Sequence, residues 1–433
     1  MRKLSSISIT ITLFFLIACN EQEQATSGLL FNFESGNSAG NFVTKETSWP
    51  TIKDSVKYGL VGNFNSSTAC QSDEAFEFWV ELPERNYKVK VVLGDMEKPT
   101  STTIKAESRR LMAMEHETSA GQIDTLDLLI NVRTPIIDSV NSIKLKVREI
   151  GYVNWDSNLT LEFAGECPSV KSIIIDEADD VPVIFLAGNS TVVDQENEPW
   201  ASWGQMFTYY LKPEVAVANF AESGETLRSF IGENRFAKIA SLIKPGDYLF
   251  MEFAHNDQKP GSSYVEPYTT YIDELMKFID LARNSGATPV LVTSTNRRKF
   301  NEDGKIVNTL EEYPDAMRKL ADDEDILLID LNAMSKDLYE ALGVEGSKKA
   351  FVHYAANTFP WQREALADNT HFSTYGAWQL AKCVVQEILD SNAELGDFIK
   401  EGFGSYDPTQ PDSFKSWEWP VSKDGTVLKP DGN

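Results

Sequence analysis

One stretch decides the fold: Val183-Ile184-Phe185-Leu186-Ala187-Gly188-Asn189-Ser190-Thr191. Its first five residues are continuously apolar, and the four that follow are small or polar. A short apolar run that ends in a polar turn is typical of a strand buried on both faces of a parallel sheet. Four more such runs follow, with amphipathic segments among them; the runs are 215–219, 248–253, 289–293 and 326–330, and the segments are 268–284, 310–322 and 332–342. The pattern predicts an α/β domain over residues 181–395, with a five-stranded parallel sheet between helices.

The chain before this domain has a different pattern. Residues 28–178 contain short runs in which apolar and polar residues alternate, and turn residues separate them; examples are 76–82, 87–93, 142–147 and 159–163. Such alternation predicts an all-β sandwich in which each sheet has one solvated face. Residues 396–433 are rich in Pro, Gly and Asp, and we expect this tail to lie on the surface, held by Trp417 and Trp419.

The first nineteen residues resemble a bacterial lipoprotein signal. Arg2 and Lys3 precede an apolar segment, residues 7–17, that is too short to span a bilayer. Leu16-Ile17-Ala18-Cys19 then resembles a lipobox, and the polar residues 20–27 resemble a flexible tether. The resemblance implies a lipid anchor on Cys19 in the bacterial cell envelope, either periplasmic or on the outer-membrane surface. A plain secretory signal with a chance cysteine is the alternative.

The charge and the cysteines limit the partners. The net charge of −25 excludes a nucleic-acid binder of the ordinary basic kind, and an anionic substrate would need a local patch of Arg and Lys. Cys70 and Cys167 can form a disulfide in an oxidising compartment, although the sequence does not show that they meet. Cys383 lies in a segment with a helical pattern, and we expect it to be a buried free thiol. The cysteines have no zinc-type spacing, so we expect no zinc site built from them. We also expect no cofactor.

Small and polar residues follow the first three predicted strands. They are Gly188-Asn189-Ser190-Thr191, Phe220-Ala221-Glu222-Ser223-Gly224-Glu225 and Ala254-His255-Asn256-Asp257, and a fourth polar block is Asp368-Asn369-Thr370-His371-Phe372. Ligands of open parallel sheets bind where the carboxyl ends of the strands meet. We therefore expect the first three blocks to lie at one edge of the sheet.

These blocks contain the parts that acyl transfer needs. Ser190 is the candidate nucleophile, His371 the base and Asp368 the carboxylate that orients it. The oxyanion donors would be the backbone N–H groups of Ser190 and Gly224 and the side-chain amide of Asn256. Each short motif alone is more often a cap or a turn, so the prediction rests on their conjunction.

In this order the blocks resemble the SGNH, or GDSL-type, hydrolase superfamily, which is named after its Ser, Gly, Asn and His. More narrowly, Phe185 to Thr191, Trp203-Gly204-Gln205, Ala221 to Thr226 and Asp368 to Gly376 resemble rhamnogalacturonan acetylesterases. The resemblance implies a flavodoxin-like three-layer fold, a metal-free Ser-His-Asp mechanism and acetylated pectic oligosaccharide or polysaccharide as substrate. The β region is similar to the galactose-binding-like sandwich that precedes some members.

Two positions depart from the family pattern. Asn189 stands where the superfamily usually has Asp, and Ala254 stands where it usually has Gly, which is tolerable if φ at Ala254 is negative. A third motif is a decoy. Gly36-Asn37-Ser38-Ala39-Gly40 matches the G-x-S-x-G elbow but lacks the buried strand before it and the helix after it, so we interpret Ser38 as a loop residue.

The candidate substrate contacts are Arg228, His255, Arg297 and His353. Arg297-Arg298-Lys299 follows the fourth strand and could meet uronate carboxylates, but a solvated basic loop explains it equally well. His255 and His353 could equally be polar residues without a role. Two other functions stay open: an esterase for another substrate, such as acetylated xylan, and a non-catalytic glycan-binding lipoprotein.

Overall fold

The computed structural model describes residues 28–33, 41–42, 51–53, 56–62, 74–422 and 425–431. Cys19, Ser38 and Cys70 lie outside these ranges, so lipidation at Cys19 and the Cys70–Cys167 pairing stay predictions. Cys167 is disulfide-bonded, and Cys383 is a buried free thiol. Every helix in the described ranges is too short or too polar to span a bilayer.

The N-terminal part is a β-sandwich, as predicted. One sheet contains β1 (Leu29–Asn32), β2 (Asn41–Phe42), β6 (Arg85–Gly94), β9 (Ile123–Val132) and β11 (Ser172–Glu177), in the order β2-β1-β11-β6-β9. The other contains β3 (Thr51–Lys53), β4 (Val56–Val61), β5 (Phe76–Glu81), β7 (Thr100–Ala106), β8 (Arg110–Thr118) and β10 (Asn158–Ala164), in the order β3-β4-β5-β10-β7-β8. Alternate residues of both sheets, such as Phe78, Val80, Val89 and Val91, form a buried core between them.

The second part is the predicted α/β domain. Its parallel sheet contains β12 (Val183–Gly188), β13 (Ala216–Asn219), β14 (Tyr248–Glu252), β15 (Thr288–Val292) and β16 (Leu327–Ile329), in the order β13-β12-β14-β15-β16. This is the flavodoxin-like order. The helices are α1 (Trp203–Phe207), α2 (Leu227–Gly232), α3 (Arg235–Leu242), α4 (Thr270–Asn284), α5 (Tyr313–Glu324), α6 (Leu331–Gly346) and α7 (Thr374–Asp390), and a hairpin pairs β17 (Phe351–Tyr354) with β18 (Leu366–Phe372).

Helices cover both faces of the parallel sheet, which explains why its strands are continuously apolar. Ile184 and Leu186 of β12 point into one core with residues of α1, α6 and α7. Phe185 and Ala187 point into the other core with residues of α3, α4 and α5. A strand that is buried on both faces has no solvated side to carry polar residues.

Buried ion pairs join the sandwich to the chain that follows Ser190. Asp194 forms ion pairs with Arg110 and Arg133 of the sandwich at 3.3 and 3.5 Å. Arg109 pairs with Glu198 at 2.6 Å, and both side chains are nearly inaccessible to water. Removal of one partner would leave a buried charge uncompensated, so these pairs favour the observed packing of the sandwich beside the α/β domain.

The predicted strand at 142–147 is wrong. This segment is an extended loop that ends in a 3-10 helix, Val147–Glu149. Its backbone bonds are irregular, because Ile143 N–H donates to Pro135 O at 2.8 Å and Lys144 N–H donates to Glu233 O at 2.9 Å. The alternation arises because the segment runs between the α/β domain and solvent, with Ile143 buried and Lys144 exposed.

The C-terminal tail packs against α7 and the sandwich. The Trp417 ring lies 5.3 Å from that of Trp378, and Trp417 Nε1 donates to Thr374 Oγ1 at 3.3 Å. Trp419 Nε1 donates to Glu198 at 2.8 Å. The last described residues continue past Glu198, where Thr426 N–H donates to Glu198 O at 2.8 Å. The tail therefore approaches the carboxyl edge of the parallel sheet.

Candidate active site

Ser190 lies in the tight turn that ends β12. Val192 and Val193 N–H donate to Asn189 O at 3.0 and 3.1 Å, and Gln195 Nε2 donates to Ser190 O at 2.9 Å. The turn needs glycine at position 188, because a Cβ there would lie 2.6 Å from Val192 Cγ2 and 3.0 Å from Glu252 O. The serine is 3% exposed and is therefore held in one position at the sheet edge.

Two hydrogen bonds connect Ser190, His371 and Asp368. Ser190 Oγ lies 2.9 Å from His371 Nε2, and His371 Nδ1 lies 2.8 Å from Asp368 Oδ2. The Trp200 ring stands edge-on to the imidazole with the ring centroids 5.9 Å apart. The imidazole thus contacts the hydroxyl through one nitrogen and the carboxylate through the other, as a general base for the hydroxyl requires.

An irregularity in β18 places Asp368 and His371 on the same side. The β17–β18 register shifts between Phe351 and His353, so the residues between Ala367 and Phe372 bulge out of the hairpin. Within the bulge, Asp368 Oδ1 accepts from Thr370 N–H at 2.8 Å and from His371 N–H at 3.1 Å. The carboxylate therefore holds the backbone that carries its own imidazole partner.

The Asp368 carboxylate is stabilised in its charged form. Burial by itself would raise its pKa, but the hydrogen bond and charge of His371 and the two backbone N–H donors outweigh burial. The pKa of Asp368 falls from 3.8 to about 2. A carboxylate that stays ionised at neutral pH favours the Nδ1–H tautomer of His371, which leaves Nε2 as the acceptor for Ser190.

Asn189 takes part in a buried network beneath the nucleophile. Asn189 Oδ1 accepts from Thr191 Oγ1 at 2.9 Å, and Thr191 Oγ1 lies 2.8 Å from Glu252 Oε1. Trp203 Nε1 donates to the other Glu252 oxygen at 2.5 Å. Burial, only partly offset by these hydrogen bonds, raises the pKa of Glu252 to about 7. Asn189, the departure from the family pattern, is therefore a neutral amide that is linked through Thr191 to a carboxyl group that already resists ionisation.

The two other predicted donors lie beside this turn. Glu222 N–H donates to Gly188 O at 3.3 Å, which joins the second block to the nucleophile turn. Gly224 has φ +81°, a conformation that favours glycine. Asn256 Nδ2 donates to Glu225 O at 3.0 Å, and its Oδ1 accepts from Lys259 Nζ at 2.9 Å. Ala254 does not have a positive φ, so its methyl group fits the backbone there.

The predicted substrate contacts have structural partners. His255 Nε2 donates to Thr295 O at 2.9 Å, and Arg297 donates to His255 O at 3.1 Å, so both join the loops after β14 and β15. Burial, together with the charge of Arg297, lowers the pKa of His255 well below its usual range. His353 Nε2 lies 2.9 Å from Asn369 Oδ1, next to the acid and base.

Arg228 lies apart from these residues. It donates to Tyr264 O at 2.7 Å and pairs with Glu274 of α4 at 3.4 Å. Arg298, which directly follows Arg297, donates to Asn369 Oδ1 at 3.1 Å. These contacts explain how the arginines are held, and a role in substrate binding stays a prediction.

The sequence interpretation missed residues that line a cleft beside the site. This cleft has a volume of about 110 Å³ and is lined by Arg148, Tyr152, Trp200, Glu222, Ser223 and Lys429, among others. A larger cavity of about 490 Å³ is lined by Met114, Tyr209, Trp378 and Phe403 among others. Neither the cleft nor this cavity is lined by Ser190, Asp368 or His371; the cleft adjoins the site through Glu222 and Ser223 of the second block. Arg148 precedes the parallel sheet and Lys429 follows it, and no motif in the sequence links either residue to the site.

Charge is distributed unevenly around the cleft. Burial and the charge of Glu149, opposed by Arg235, Arg148 and Lys146, raise the pKa of Glu222 to about 7. Lys429 Nζ lies 3.5 Å from Asp368 Oδ2. Within the described ranges, no group of three or more His, Cys, Asp or Glu side chains is arranged to hold a metal ion.

Comparison with known proteins identifies the family of the α/β domain. Residues 186–378 match the GDSL-like lipase/acylhydrolase family. The chain is 46% identical over 218 residues to rhamnogalacturonan acetylesterase RhgT of Bacillus subtilis, covering 50% of this chain and 93% of that protein. It is 34% identical over 221 residues to the probable rhamnogalacturonan acetylesterase YesY of the same organism, covering 50% of this chain and 96% of YesY.

A solved structure resembles a larger part of the chain. The crystal structure of YxiM from Bacillus subtilis aligns with 85% of this chain and 99% of its own, at 22% identity and a TM-score of 0.46. The family assignment rests on the two sequence relatives. With an identity of 46% that covers nearly all of RhgT, the chain belongs to the SGNH, or GDSL-like, lipase/acylhydrolase family and is a serine carboxylic-ester hydrolase similar to rhamnogalacturonan acetylesterases.

Proposed function

We propose that the protein is a carbohydrate O-acetylesterase that removes acetyl groups from pectic rhamnogalacturonan, with Ser190, His371 and Asp368 as its catalytic triad. The observation that carries the triad is the continuous chain of hydrogen bonds, 2.9 Å from Ser190 to His371 and 2.8 Å from His371 to Asp368. The substrate class is supported by the names of the relatives, RhgT above all.

In the first half-reaction, Ser190 Oγ attacks the acetyl carbonyl carbon while His371 Nε2 takes the hydroxyl proton. The carbonyl oxygen becomes an oxyanion, and Asp368 stabilises the imidazolium that has formed. The C–O bond to the sugar then breaks, and His371 returns the proton to the leaving sugar oxygen. The products of this half-reaction are the free sugar hydroxyl and an acetyl-Ser190 ester.

Three donors would stabilise the oxyanion. They are the backbone N–H groups of Ser190 and Gly224 and the Asn256 side-chain amide. The amide nitrogen of Asn256 carries two hydrogens, of which the bond to Glu225 O uses one, so the other can point at the oxyanion. The positive φ of Gly224 lets its peptide face the cleft without a side chain in the way.

In the second half-reaction, water repeats the attack on acetyl-Ser190. His371 takes one proton from the water, a second tetrahedral intermediate collapses, and Ser190 Oγ recovers that proton as acetic acid leaves and ionises to acetate in solution. The proton transfers that accompany both attacks and both departures therefore pass through His371 Nε2. The side chains of Asp368 and His371 are almost completely buried, and the bulge in β18 holds them ready for both steps.

The test of the triad is Ser190→Ala. We expect kcat for p-nitrophenyl acetate to fall by about 10⁴- to 10⁶-fold, because the acyl-enzyme can no longer form. Ser38→Ala, at the decoy motif, is the matched control and should retain wild-type activity. Equal rates for wild type and Ser190→Ala would refute the triad and favour a non-catalytic glycan-binding protein.

The test of the substrate is acetate release from three esters by the wild-type protein. We expect release from acetylated rhamnogalacturonan and little from acetylxylan or long-chain esters. The reverse preference for acetylxylan would replace the pectic substrate with xylan while leaving the esterase mechanism intact. Activity on long-chain esters alone would replace both glycans with a lipid.

A further inference from the structure

A segment outside the matched family region reaches the cleft from the sandwich side. It contains the 3-10 helix Val147–Glu149, whereas the family match begins at residue 186. Arg148 of this helix donates through Nε at 3.1 Å and Nη2 at 2.8 Å to Glu222 Oε1, and Nη2 also donates to Ser223 O at 2.6 Å. These bonds fix the guanidinium beside Gly224 and leave its third nitrogen, Nη1, directed elsewhere.

The partner of Arg148 Nη1 is a carboxylate. Asp431, at the end of the described tail, accepts from Nη1. Asp431 stands directly over Gly224, since a Cβ built on Gly224 would lie 3.1 Å from Asp431 Cβ. A carboxylate from a remote part of the chain therefore occupies the space next to the predicted oxyanion site. The Asp431 side chain is 64% exposed, so a competing ligand can displace it.

Lys146, another cation near Gly224, has a different role. Lys146 Nζ donates to Ser223 O at 2.8 Å and pairs with Glu225, whose side chain is fully buried. Ser223 O belongs to the same peptide unit as Gly224 N–H, so Lys146 orients that peptide. Arg148 also donates to Ser223 O, through Nη2. Unlike Lys146, Arg148 has a further nitrogen, Nη1, that donates to the Asp431 carboxylate.

We propose that Arg148 binds the carboxylate of a uronate residue adjacent to the acetylated sugar, and that Asp431 occupies this position when no substrate is bound. A guanidinium with two nitrogens already fixed is a pre-oriented donor, and charge-assisted hydrogen bonds to carboxylates are among the strongest in proteins. The inference rests on the proposed function. It attributes a preference for acidic sugars to Arg148, which precedes the α/β domain in the chain.

The experiment compares one oligosaccharide in two forms. Acetylated rhamnogalacturonan oligosaccharide is used as it is and after its carboxyl groups have been reduced to primary alcohols. For Arg148→Gln, kcat/KM for the carboxylate form should fall about 10- to 100-fold more than for the reduced form, because one charge-assisted bond is lost. The preference of the wild type for the carboxylate form should weaken at high salt.

Three variants complete the design. Lys146→Met should lower kcat/KM for both forms by the same factor, since it orients the shared oxyanion peptide. Asp431→Asn removes the competing carboxylate and should raise kcat/KM for the carboxylate form a few-fold, with less effect on the reduced form. Arg283→Gln, which removes an equal charge on the surface between α4 and α5, should resemble the wild type.

The outcomes separate the two proposals. If the wild type cleaves both forms and kcat/KM of a folded Arg148→Gln protein falls by the same factor on both, Arg148 only positions the peptide and the inference is wrong. If the wild type releases acetate from neither form, the proposed function fails together with the inference. Thermal melting of each variant shows whether a loss comes from unfolding, and Arg148→Lys, which keeps the charge without the planar fork, should retain part of the preference.

Discussion

The inner and the outer parts of the site are held in different ways. The inner part is Ser190, His371 and Asp368, whose side chains are buried and joined by short bonds on the edge of the parallel sheet. The outer part includes Arg148 and Asp431, whose side chains are 30% and 64% exposed and come from a loop and the tail. The proposed reacting groups thus depend on burial and local geometry, whereas the proposed substrate contacts stay accessible to solvent.

This difference has an energetic consequence. Exposed ion pairs contribute about 0–1 kcal/mol, so the contact between Arg148 and Asp431 can open without threatening the fold. Removal of a buried partner leaves a polar group unsatisfied and costs more. Substitutions in the inner part should therefore abolish catalysis, while those in the outer part should change the choice of substrate.

The largest expected effect within the inner part, after loss of the nucleophile, belongs to Asp368→Asn. The amide can still accept from Thr370 and His371 N–H, but its NH₂ would face His371 Nδ1 and favour the tautomer with the proton on Nε2. Such a change costs about 10⁴-fold in kcat in the serine protease triad, and we expect a similar loss here on p-nitrophenyl acetate.

Asp407→Asn is the matched control, because Asp407 is an exposed carboxylate of the tail. It should keep the wild-type kcat. If kcat of Asp368→Asn lies within tenfold of the wild-type value, the buried hydrogen bond does not set the tautomer of His371. Catalysis would then not depend on the buried inner part in the way proposed.

A smaller effect is expected for Asn256→Ala. Loss of one oxyanion donor should lower kcat by about 10²- to 10³-fold with little change in KM, because the amide acts mainly on the transition state. Lys259→Met, which removes the ammonium that donates to Asn256 Oδ1, should lower kcat by less than about tenfold. A higher KM with unchanged kcat in Asn256→Ala would instead assign Asn256 to substrate binding.

The smallest effect concerns stability and pH, at Glu252 beneath the nucleophile. Its pKa of about 7 in the folded state exceeds the ordinary value of 4.5, so the folded protein holds this proton more tightly than the unfolded chain. The tighter proton binding adds to the free energy of unfolding; this stabilisation is fully present below about pH 4.5 and is lost as pH rises through 7. We expect Glu252→Gln to reduce the loss of stability between pH 5 and 8 by about 2–3 kcal/mol.

The glutamine amide can reproduce the bonds of the protonated acid. Its oxygen accepts from Trp203, and its NH₂ donates to Thr191 Oγ1, whose own proton goes to Asn189. Thermal melting at pH 5 and pH 8 measures the difference, with Glu302→Gln on an exposed loop as the control. Parallel pH curves for wild type and Glu252→Gln would show that Glu252 is ionised in the fold.

Much of the α/β domain could be predicted because its signals are local. Continuous apolar runs mark the buried strands, and the run that begins at Val183 is observed as β12 (Val183–Gly188). The amphipathic pattern of residues 268–284 likewise predicted the helix observed as α4 (Thr270–Asn284). The confirmed sandwich shows the same rule with period two, since Phe76, Phe78 and Val80 of β5 are all buried.

The segment at 142–147 shows where this reasoning ends. Its alternation is real, but Lys144 and Lys146 are directed by bonds to Glu233, Gly232 and Ser223 rather than by a neighbouring strand. Periodicity reports which side chains are buried, and a single extended loop against another domain gives the same alternation as a strand in a sheet. The error fell on the segment that reaches the cleft.

The sequence by itself determined the order of the blocks and the identities of Ser190, Asp368 and His371 as candidates, because a turn after a buried strand and an Asp-x-x-His spacing are local features. Only the tertiary structure decided that Arg148 and Asp431 meet over Gly224. Those two residues are 283 positions apart, and their contact depends on how the sandwich and the tail pack against the sheet edge. Local patterns carry no information about contacts over that distance, which depend on long-range pairings such as the buried ion pair between Arg109 and Glu198.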